Sequence, residues 1–450
     1  MTDNYDLLVI GAGMAGIAAA TKCSSAGWRV GIVDALPYGG TCALRGCDPK
    51  RILRRGAEVM EDARLMRGKG INEGGLSINW GELMKHKHGF TDPVPQSMED
   101  DLRAHGVAPL HGTATFTGLT EVEISGAGHK ASKVLIATGA TPRLLGFPGE
   151  EHLIDSTEFL NLQSLPPRIV FVGGGFVSFE FAHIAARAGS SPVIVDRGAR
   201  PLKAFDADLV ELLIDRGSDA GVEVQRATSI TSVVKTSTGY QVHTDTDGSP
   251  VTIDADLVVH GAGRVPDLSR LNLEIAHAAY GEQGIRVAGN LQSTTNPDVY
   301  AAGDSADSPG MPLTPVAVIE AKVAASNILK SGSTVPDYAA IPTAVFTIPE
   351  LVRLGMLEHE ARDSGLDLEV RYTDTSDWYS NYRTGETAGA TKILIDKAND
   401  RIVGAHLFGS GYAELANTIS LAMKHGLTTR QIKSATATYP SIGSDLGSML

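Results

Sequence analysis

Short apolar runs that end in glycine-rich turns recur along this chain, and each is followed by small or apolar residues. Residues 6–11 read DLLVIG and lead into GAGMAG, then IAAATKCSSAG, then RVGIVD. This order predicts a strand, a helix and a second, parallel strand. Residues 168–196 repeat it as RIVFVGGG, FVSFEFAHIAARAG and SPVIVD. The pattern therefore predicts two βαβ units in one chain.

The turn of the first unit carries the residues that a dinucleotide needs. Gly11 permits a tight turn, Gly13 lets backbone approach a pyrophosphate, and Gly16 allows the helix to pack closely on the strand. The helix N-terminus favours phosphate, and Asp34 at the end of the second strand can accept a hydrogen bond from a ribose hydroxyl. We expect this unit to bind a dinucleotide.

Two such units imply two dinucleotides, for which the simplest pairing is a resident flavin and a visiting nicotinamide. Three further strands run into glycine turns, in residues 134–143, 256–267 and 299–307. The last turn carries Asp304, whose carboxylate could hold a ribityl hydroxyl. Together with Gly139 they predict a discontinuous flavin domain with the second unit inserted into it. Taken singly, each of them is equally explained as a structural turn.

Composition narrows the class of protein. The chain has 450 residues, a net charge of −13 and a pI near 5.5. This length predicts two to four domains, and the charge argues against nucleic acid or an anionic membrane as partners. The sequence shows no signal peptide or membrane-spanning run, so we expect a cytoplasmic protein. Three cysteines are too few for a disulfide scaffold.

Two of the cysteines, Cys42 and Cys47, lie in the segment GGTCALRGCDPK at residues 39–50. A disulfide between them requires a distorted helical turn, which Gly46 allows. The alternatives are two buried thiols or half of a metal site, although zinc sites have closer pairs and more Cys or His nearby. We expect a redox pair and no metal site. Cys23, on the first helix, is expected to be inert packing.

The order of these motifs resembles that of the flavoprotein disulfide reductases, which include glutathione reductase, dihydrolipoamide dehydrogenase and mercuric reductase. In that family the redox segment reads Gly-Gly-Thr-Cys-x4-Cys-x-Pro-Lys, and residues 39–50 match it in place. The resemblance covers nearly the whole chain. It implies a homodimer with FAD, a nicotinamide donor and a C-terminal dimerisation domain.

The resemblance also implies roles for individual residues. Cys42 is the interchange thiol that attacks substrate, and Cys47 is the charge-transfer thiolate against the flavin. Lys50 lies beside the flavin and pairs with Glu180, unless it is a solvated surface charge. Phe176 resembles the aromatic gate over the flavin, with a core phenylalanine as the alternative.

The predicted fold is α/β, with two Rossmann-like dinucleotide-binding domains, for FAD and NAD(P)H, and a C-terminal α+β dimerisation domain. Its parts are residues 1–147 (FAD domain, first part), 148–262 (NAD(P)H domain), 263–334 (FAD or central domain, second part) and 335–450 (dimerisation domain). The residues expected to bind the two cofactors are Gly11, Gly13, Ala15, Gly16, Asp34, Gly40, Thr41, Lys50, Ala114, Thr138, Gly139, Asp304, Thr314, Gly173, Gly175, Phe176, Val177, Asp196, Arg197, Lys203, Gly263 and Arg264.

The second fingerprint favours NADPH over NADH. Its third position is Ser178, and a small residue other than glycine there resembles the NADPH-dependent members. Arg197 and Lys203 follow the next strand, where those members carry two basic residues that hold a 2′-phosphate. Asp196, however, stands where NADH-dependent members place an acid for the ribose. NADH therefore stays possible.

The C-terminal segment TATYPSIGSD departs from the family pattern. Tyr439 stands where the disulfide-reducing members carry a histidine that protonates the leaving thiolate, and Ser444 stands where its supporting glutamate would be, with Asp445 next. A phenol is a poor proton shuttle at neutral pH. Ordinary disulfide reduction is therefore expected to be impaired, unless another acid acts.

Other groups near the redox segment could compensate. His86 and His88 lie in a predicted helix that borders the substrate cleft in the family, either as a replacement acid or as solvent-facing side chains. Asp48 adds negative charge beside Cys47, which disfavours a thiolate unless Lys50 or Arg45 offsets it.

These observations predict an FAD-dependent enzyme that passes electrons from NADPH through Cys42 and Cys47 to a small disulfide or sulfur acceptor. The alternatives are a metal ion, as in mercuric reductase, or a quinone-like acceptor. A low-turnover flavin redox sensor is the third.

Overall fold

The computed structural model of the chain describes residues 3–450. It contains two compact units, each built from three segments of the chain. Unit 1 holds the residues up to Lys50 with residues 86–143 and 264–338, and unit 2 holds residues 51–85, 144–263 and 339–450. The four domain boundaries expected from the sequence stay a prediction.

The helices and strands follow in chain order. The first group is β1 (Asp3–Ile10), α1 (Met14–Ser25), β2 (Val30–Asp34), α2 (Gly40–Arg45), α3 (Cys47–Leu65), α4 (Trp80–Thr91), α5 (Val94–Ala104), β3 (Val107–His111), β4 (Ala114–Phe116), β5 (Glu121–Ile124), β6 (Ala127–Ile136) and β7 (Ala140–Pro142). The second group is α6 (Ser156–Phe159), β8 (Arg168–Val172), α7 (Phe176–Arg187), β9 (Ser191–Val195), α8 (Ala207–Ser218), β10 (Glu223–Gln225), β11 (Thr228–Thr236), β12 (Gly239–Thr246), β13 (Ser249–Ala255), β14 (Leu257–His260) and β15 (Arg264–Pro266). The third group is β16 (Tyr280–Gly281), β17 (Gly284–Arg286), β18 (Val299–Ala301), β19 (Ala306–Asp307), α9 (Thr314–Lys330), β20 (Thr343–Val345), β21 (Glu350–Gly355), α10 (Glu358–Asp363), β22 (Leu368–Asp374), α11 (Tyr379–Tyr382), β23 (Ala390–Asp396), β24 (Arg401–Gly409), α12 (Tyr412–Lys424), α13 (Thr429–Ser434) and α14 (Ile442–Met449).

The main sheet of unit 1 has the strand order β3-β2-β1-β6-β5-β4, and β18 also pairs with β6. Strands β3, β2, β1, β6 and β18 are parallel. Leu7 and Val9 of β1 belong to the core under α1 and α9, whereas Leu8 and Ile10 belong to the core on the other face. Both faces of this strand are buried, which explains its continuous apolar run. The βαβ unit predicted at the start of the chain is confirmed.

Unit 2 contains the second parallel sheet, in the order β10-β9-β8-β14. Phe171, Phe179 and Leu209 lie in a core shared by β8, α7 and α8. The rings of Phe159 and Phe181 stack there with centroids 4.3 Å apart. Strands β11, β12 and β13 form a separate antiparallel sheet. The second βαβ unit is thus also confirmed.

The C-terminal residues of unit 2 form an antiparallel sheet in the order β20-β21-β24-β23-β22. The hairpin predicted around the sequence DKAND joins β23 and β24. Helices α12 and α14 pack with this sheet in one core cluster, while Leu351, Ala390 and Phe408 join the core of α7 and α8. No helix formed by residues 3–450 is long and apolar enough to cross a membrane.

Candidate active site

The first glycine turn brings the predicted FAD residues of β1, α1 and α2 together. Gly11 has φ +109° and passes so close to the carbonyl of Ala137 that a Cβ there would overlap it. A Cβ on Gly40 would lie 2.6 Å from the Cα of Gly13. Only glycine permits these approaches, and they leave the N-terminus of α1 open to a phosphate.

Asp34 closes this turn at the end of β2. Its Oδ2 accepts a hydrogen bond from the N–H of Ala12 at 2.7 Å, and its Oδ1 accepts one from the N–H of Leu36 at 2.8 Å. Each oxygen has a second lone pair for a ribose hydroxyl. The carboxylate is therefore held in place by the same backbone that would carry the pyrophosphate.

Two further observations fit a bound flavin dinucleotide. Among the described residues, the buried Oγ1 of Thr138 has no hydrogen-bond partner, and Thr138 lies beside Gly11. Burial raises the pKa of the Asp304 carboxyl, although the guanidinium of Arg264 opposes this effect. A buried hydroxyl and a buried carboxyl in one unit are the groups that a ligand's hydroxyls and amides can satisfy. Of the other expected contacts, Ala15 lies buried in α1 and Ala114 begins β4.

The cysteine pair lies at a break between two helices. Helix α2 ends at Gly46, which has φ −154° and ψ −107°, and α3 starts at Cys47. This is the distortion that the sequence predicted between Cys42 and Cys47. Both cysteines are free thiols, and the pKa of Cys42 is raised, first by its hydrogen bond with Cys47 and then by burial. The two sulfur atoms are therefore neighbours in the reduced state.

Thr314, the first residue of α9, touches this thiol pair. Its Oγ1 lies 3.7 Å from the Sγ of Cys47, and its hydrogen bond to Cys42 lowers the pKa of that thiol. The N-terminus of this 17-residue helix adds positive potential, which favours a thiolate. The sequence placed Thr314 among the cofactor contacts and missed its position at the sulfurs. The helix-start signal Leu-Thr-Pro at residues 313–315 could have indicated it.

Lys50 and Glu180 are both buried, at 8% and 2% exposure. Lys50 lies in the first turn of α3, so it is not a solvated surface charge. An Oε of Glu180 accepts a hydrogen bond from the N–H of Phe346 at 2.7 Å. Lys50 belongs to unit 1 and Glu180 to unit 2, and their pairing stays a prediction.

The second glycine turn repeats the close approaches of the first. Gly173 has φ +95°, and a Cβ there would lie 2.5 Å from the Cα of Ala262. Ser178, at the third fingerprint position, is fully buried against Gly261. These residues fit a second dinucleotide at the N-terminus of α7. Among the described residues, the Oγ of Ser178 has no hydrogen-bond partner.

Helix α7 begins at Phe176, whose side chain is 52% exposed. The alternative of a core phenylalanine is therefore wrong. Val177 follows it in the first turn and packs against the core. Gly175 precedes it and would bring a Cβ within 3.0 Å of the carbonyl of Gly261.

The loop after β9 carries the residues that were expected to choose between NADPH and NADH. The Oδ2 of Asp196 lies within 3.2 Å of the Cβ position of Gly198 and also faces Gly174. Arg197 and Lys203 are exposed. The carboxylate is thus directed at the turn, whereas the two cationic groups face solvent.

Tyr439 precedes α14 and is 84% exposed. Asp445 is engaged elsewhere, since it accepts a hydrogen bond from the hydroxyl of Ser380. The Nδ1 of His88 lies 3.0 Å from a carboxylate oxygen of Asp92, and His86 is exposed.

Two remaining groups near the thiols have a defined electrostatic state. Burial raises the pKa of Asp48, and Lys50 opposes that rise. Burial raises the pKa of Cys23 to about 12, with Lys22 opposing it, so this thiol is unreactive. Within residues 3–450, no group of three or more His, Cys, Asp or Glu side chains is arranged to hold a metal ion.

Comparison with known proteins agrees with this geometry. The model of the pyridine nucleotide-disulphide oxidoreductase family matches residues 5–321, and that of its dimerisation domain matches residues 341–449. The chain belongs to the pyridine nucleotide-disulphide oxidoreductase family. Its members are NAD(P)H-dependent flavoproteins with FAD, so the predicted class of enzyme and its cofactors are confirmed.

Individual relatives span nearly the whole chain. A glutathione reductase from Nostoc sp. is 30% identical over 100% of both chains. A mercuric reductase from Staphylococcus aureus is 26% identical over 98% of this chain and 81% of its own. The structure of the HOCl-induced flavoprotein disulfide reductase RclA from Escherichia coli superposes with a TM-score of 0.88, at 25% identity over 99% of each chain.

Proposed function

We propose that this enzyme uses NADPH and FAD to reduce Cys42 and Cys47, and that this dithiol then reduces a small disulfide or related sulfur compound. The observation that carries the proposal is the thiol pair at the helix break, with Thr314 beside it. When bound, FAD accepts hydride from the nicotinamide and returns two electrons to the cysteine disulfide.

The chain's own residues account for the thiol chemistry. The Cys42 thiol loses its proton, and the thiolate attacks one sulfur of the acceptor. The acceptor S–S bond breaks, its second sulfur leaves as a thiolate, and this thiolate takes up a proton. Cys47 then attacks the Cys42 sulfur of the mixed disulfide, forms the Cys42–Cys47 bond and releases the second thiolate. Thr314 and the α9 N-terminus stabilise the Cys47 thiolate.

NADPH is the proposed donor because of the loop after β9. Arg197 and Lys203 present two cationic groups to solvent, where a 2′-phosphate can be bound. Asp196 is directed at the glycine turn, which reduces its repulsion of a phosphate at the loop surface. With Asp196 turned toward solvent, NADH would be favoured instead.

The family's dimerisation domain supports a homodimer. We propose that the exposed Tyr439 reaches the thiol pair of the partner subunit, as its place in the family motif implies. A cytoplasmic location fits an enzyme whose three cysteines are free thiols.

The similarity to disulfide reductases favours a sulfur acceptor over a metal ion, a quinone or a sensor role. Relatives do include mercuric reductases, and RclA has been solved as a Cu(II) complex. These acceptors are therefore outcomes of the same test.

The test is a panel of acceptors given to FAD-loaded enzyme with NADPH: low-molecular-weight disulfides, Hg(II), Cu(II) and quinones. Disulfide turnover that Cys42→Ser abolishes is the expected result, together with a long-wavelength absorbance in the NADPH-reduced enzyme that Cys47→Ser removes. Turnover of quinones alone, unaffected by either substitution, would overturn the proposal. Cys23→Ser is the matched control, since that thiol is buried and unreactive.

A further inference from the structure

Residues 346–348 connect β20 to β21 and have no strand partner, yet their N–H groups are bonded by side chains of α7. We call these three residues the clamped segment. The N–H of Phe346 donates to Glu180 at 2.7 Å. The N–H of Ile348 donates to the Nδ1 of His183 at 3.2 Å. Alternate N–H groups of one extended stretch are thus held by successive turns of one helix.

The carbonyl groups of the clamped segment are bonded in the same way. Arg187 of α7 donates from Nη2 to the oxygen of Ile348 at 3.0 Å. Arg54 of α3 donates from Nε to the oxygen of Phe346 at 2.8 Å and from Nη2 to the oxygen of Thr347 at 2.7 Å. Every one of these bonds is buried or partly buried, so losing one leaves a polar group without water.

Glu180, His183 and Arg187 stand at positions i, i+3 and i+7 of α7 and so form one stripe of that helix. All three are buried. The same helix starts at Phe176 and follows the second glycine turn. The stripe therefore links the predicted nicotinamide site to the clamped segment through a single rigid element.

His183 acts in this stripe as a neutral acceptor. Burial lowers its pKa well below the usual range, and the charges of Arg187 and Arg216 lower it further. Its Nδ1 faces the N–H of Ile348 and an Nη1 of Arg187, both of which are donors. The proton of the neutral ring is therefore on Nε2.

We propose that His183 is a positioning residue that fixes the orientation of Glu180 through the clamped segment. Holding the N–H of Ile348 sets the position of the peptide two residues earlier, and that peptide fixes one carboxylate oxygen of Glu180. The other oxygen is then oriented for a cation. This inference rests on the proposed function, in which Glu180 pairs with Lys50 beside the flavin.

The test compares His183→Leu, which removes the acceptor, with His183→Asn, whose Oδ1 stands near the position of Nδ1. Hydrogen exchange measured by mass spectrometry on a peptide covering residues 346–348 is the first readout, and it needs no FAD. Exchange in this peptide should be faster in His183→Leu and restored in His183→Asn. The second readout is flavin reduction by NADPH in a stopped-flow instrument. It should slow by about tenfold in His183→Leu, the scale on which small misplacements act.

A double-mutant cycle separates positioning from general destabilisation. If His183 acts through Glu180, adding His183→Leu to Glu180→Gln slows flavin reduction no further. His406→Leu is the matched control, because His406 is also fully buried and bonds a backbone carbonyl, that of Met356. It should leave both readouts for the clamped segment unchanged.

Additive effects in the cycle, or equal slowing by His183→Leu and His406→Leu, would overturn the inference. Unchanged flavin reduction in Glu180→Gln would instead contradict the role of Glu180 in the proposed function. Should His183→Leu not yield folded protein, His183→Gln replaces it, because its amide oxygen stands near Nε2 and cannot reach Ile348. The inference then requires His183→Gln to exchange faster and to react more slowly than His183→Asn.

Discussion

Glu61 is the most sensitive charged position in unit 2, because its buried carboxylate serves three arginines. It accepts from Arg187 at 3.1 Å, from Arg64 at 2.6 Å and from Arg216. Arg216 also donates to Glu386 at 2.9 Å. Burial alone would raise the pKa of Glu61, but the hydrogen bond from Arg64 and the charges of Arg187 and Arg216 outweigh it and hold the pKa at about 2.

The pKa gives the size of the effect. A fall from 4.5 to about 2 corresponds to about 3 kcal/mol of unfolding free energy at about 1.4 kcal/mol per pKa unit. Glu61→Gln should therefore lower the free energy of unfolding at neutral pH by about 3 to 5 kcal/mol, since it leaves two buried guanidinium groups with one carboxylate. Glu121→Gln is the matched control. Its partner is Lys130 at 2.8 Å, both side chains are about half exposed, and the expected loss is below about 1 kcal/mol.

Urea unfolding of the FAD-loaded protein, followed from neutral pH down to the acid limit of the wild type, provides the measurement. Because the pKa of Glu61 is depressed in the folded protein, its contribution is fully present above pH 4.5 and is lost as the pH falls toward about 2. The difference between wild type and Glu61→Gln should therefore narrow below pH 4.5. Equal losses in the two variants, or a difference that does not change with pH, would refute this reasoning.

Three other substitutions test the active site. Thr314→Val should raise the pKa of the Cys47 thiolate by up to about one unit, because the lost contact is long and hydrogen bonds to charged groups contribute about 1.5–3 kcal/mol at best; a pH titration of the long-wavelength absorbance measures it. Arg197→Ala combined with Lys203→Ala should raise the KM for NADPH about tenfold to a hundredfold and leave that for NADH nearly unchanged, since only a 2′-phosphate needs both cations. Tyr439→His should raise disulfide turnover by about a hundredfold if proton delivery limits it, and unchanged steady-state rates would show that another group supplies the proton.

The local features of the site could be predicted from the sequence because their causes are local. The turns at Gly11 and Gly173 need glycine at fixed spacing from a strand and a helix, and that spacing is visible in the chain. The helix break at Gly46 was likewise expected from the two cysteines on either side of it. In each case one short segment contains both the signal and the structure.

The clamped segment and the Glu61 cluster were not predicted, because their partners are far apart in the chain. His183 reads in the sequence as one polar residue in an apolar helix, and nothing near it points to residue 348. Arg216 and Glu386 are separated by 170 residues. A buried polar group needs a partner, but its own neighbourhood in the sequence does not say which one.

Cys23 gives the enzyme a practical property. Because burial keeps this thiol protonated and shielded, with a pKa of about 12, a colourless reagent that turns yellow on reacting with accessible sulfhydryls would register only Cys42 and Cys47 in the native protein. The number of equivalents consumed should then be two after reduction and none after oxidation. Colorimetry on the unmodified chain thus becomes a direct gauge of how full its electron store is.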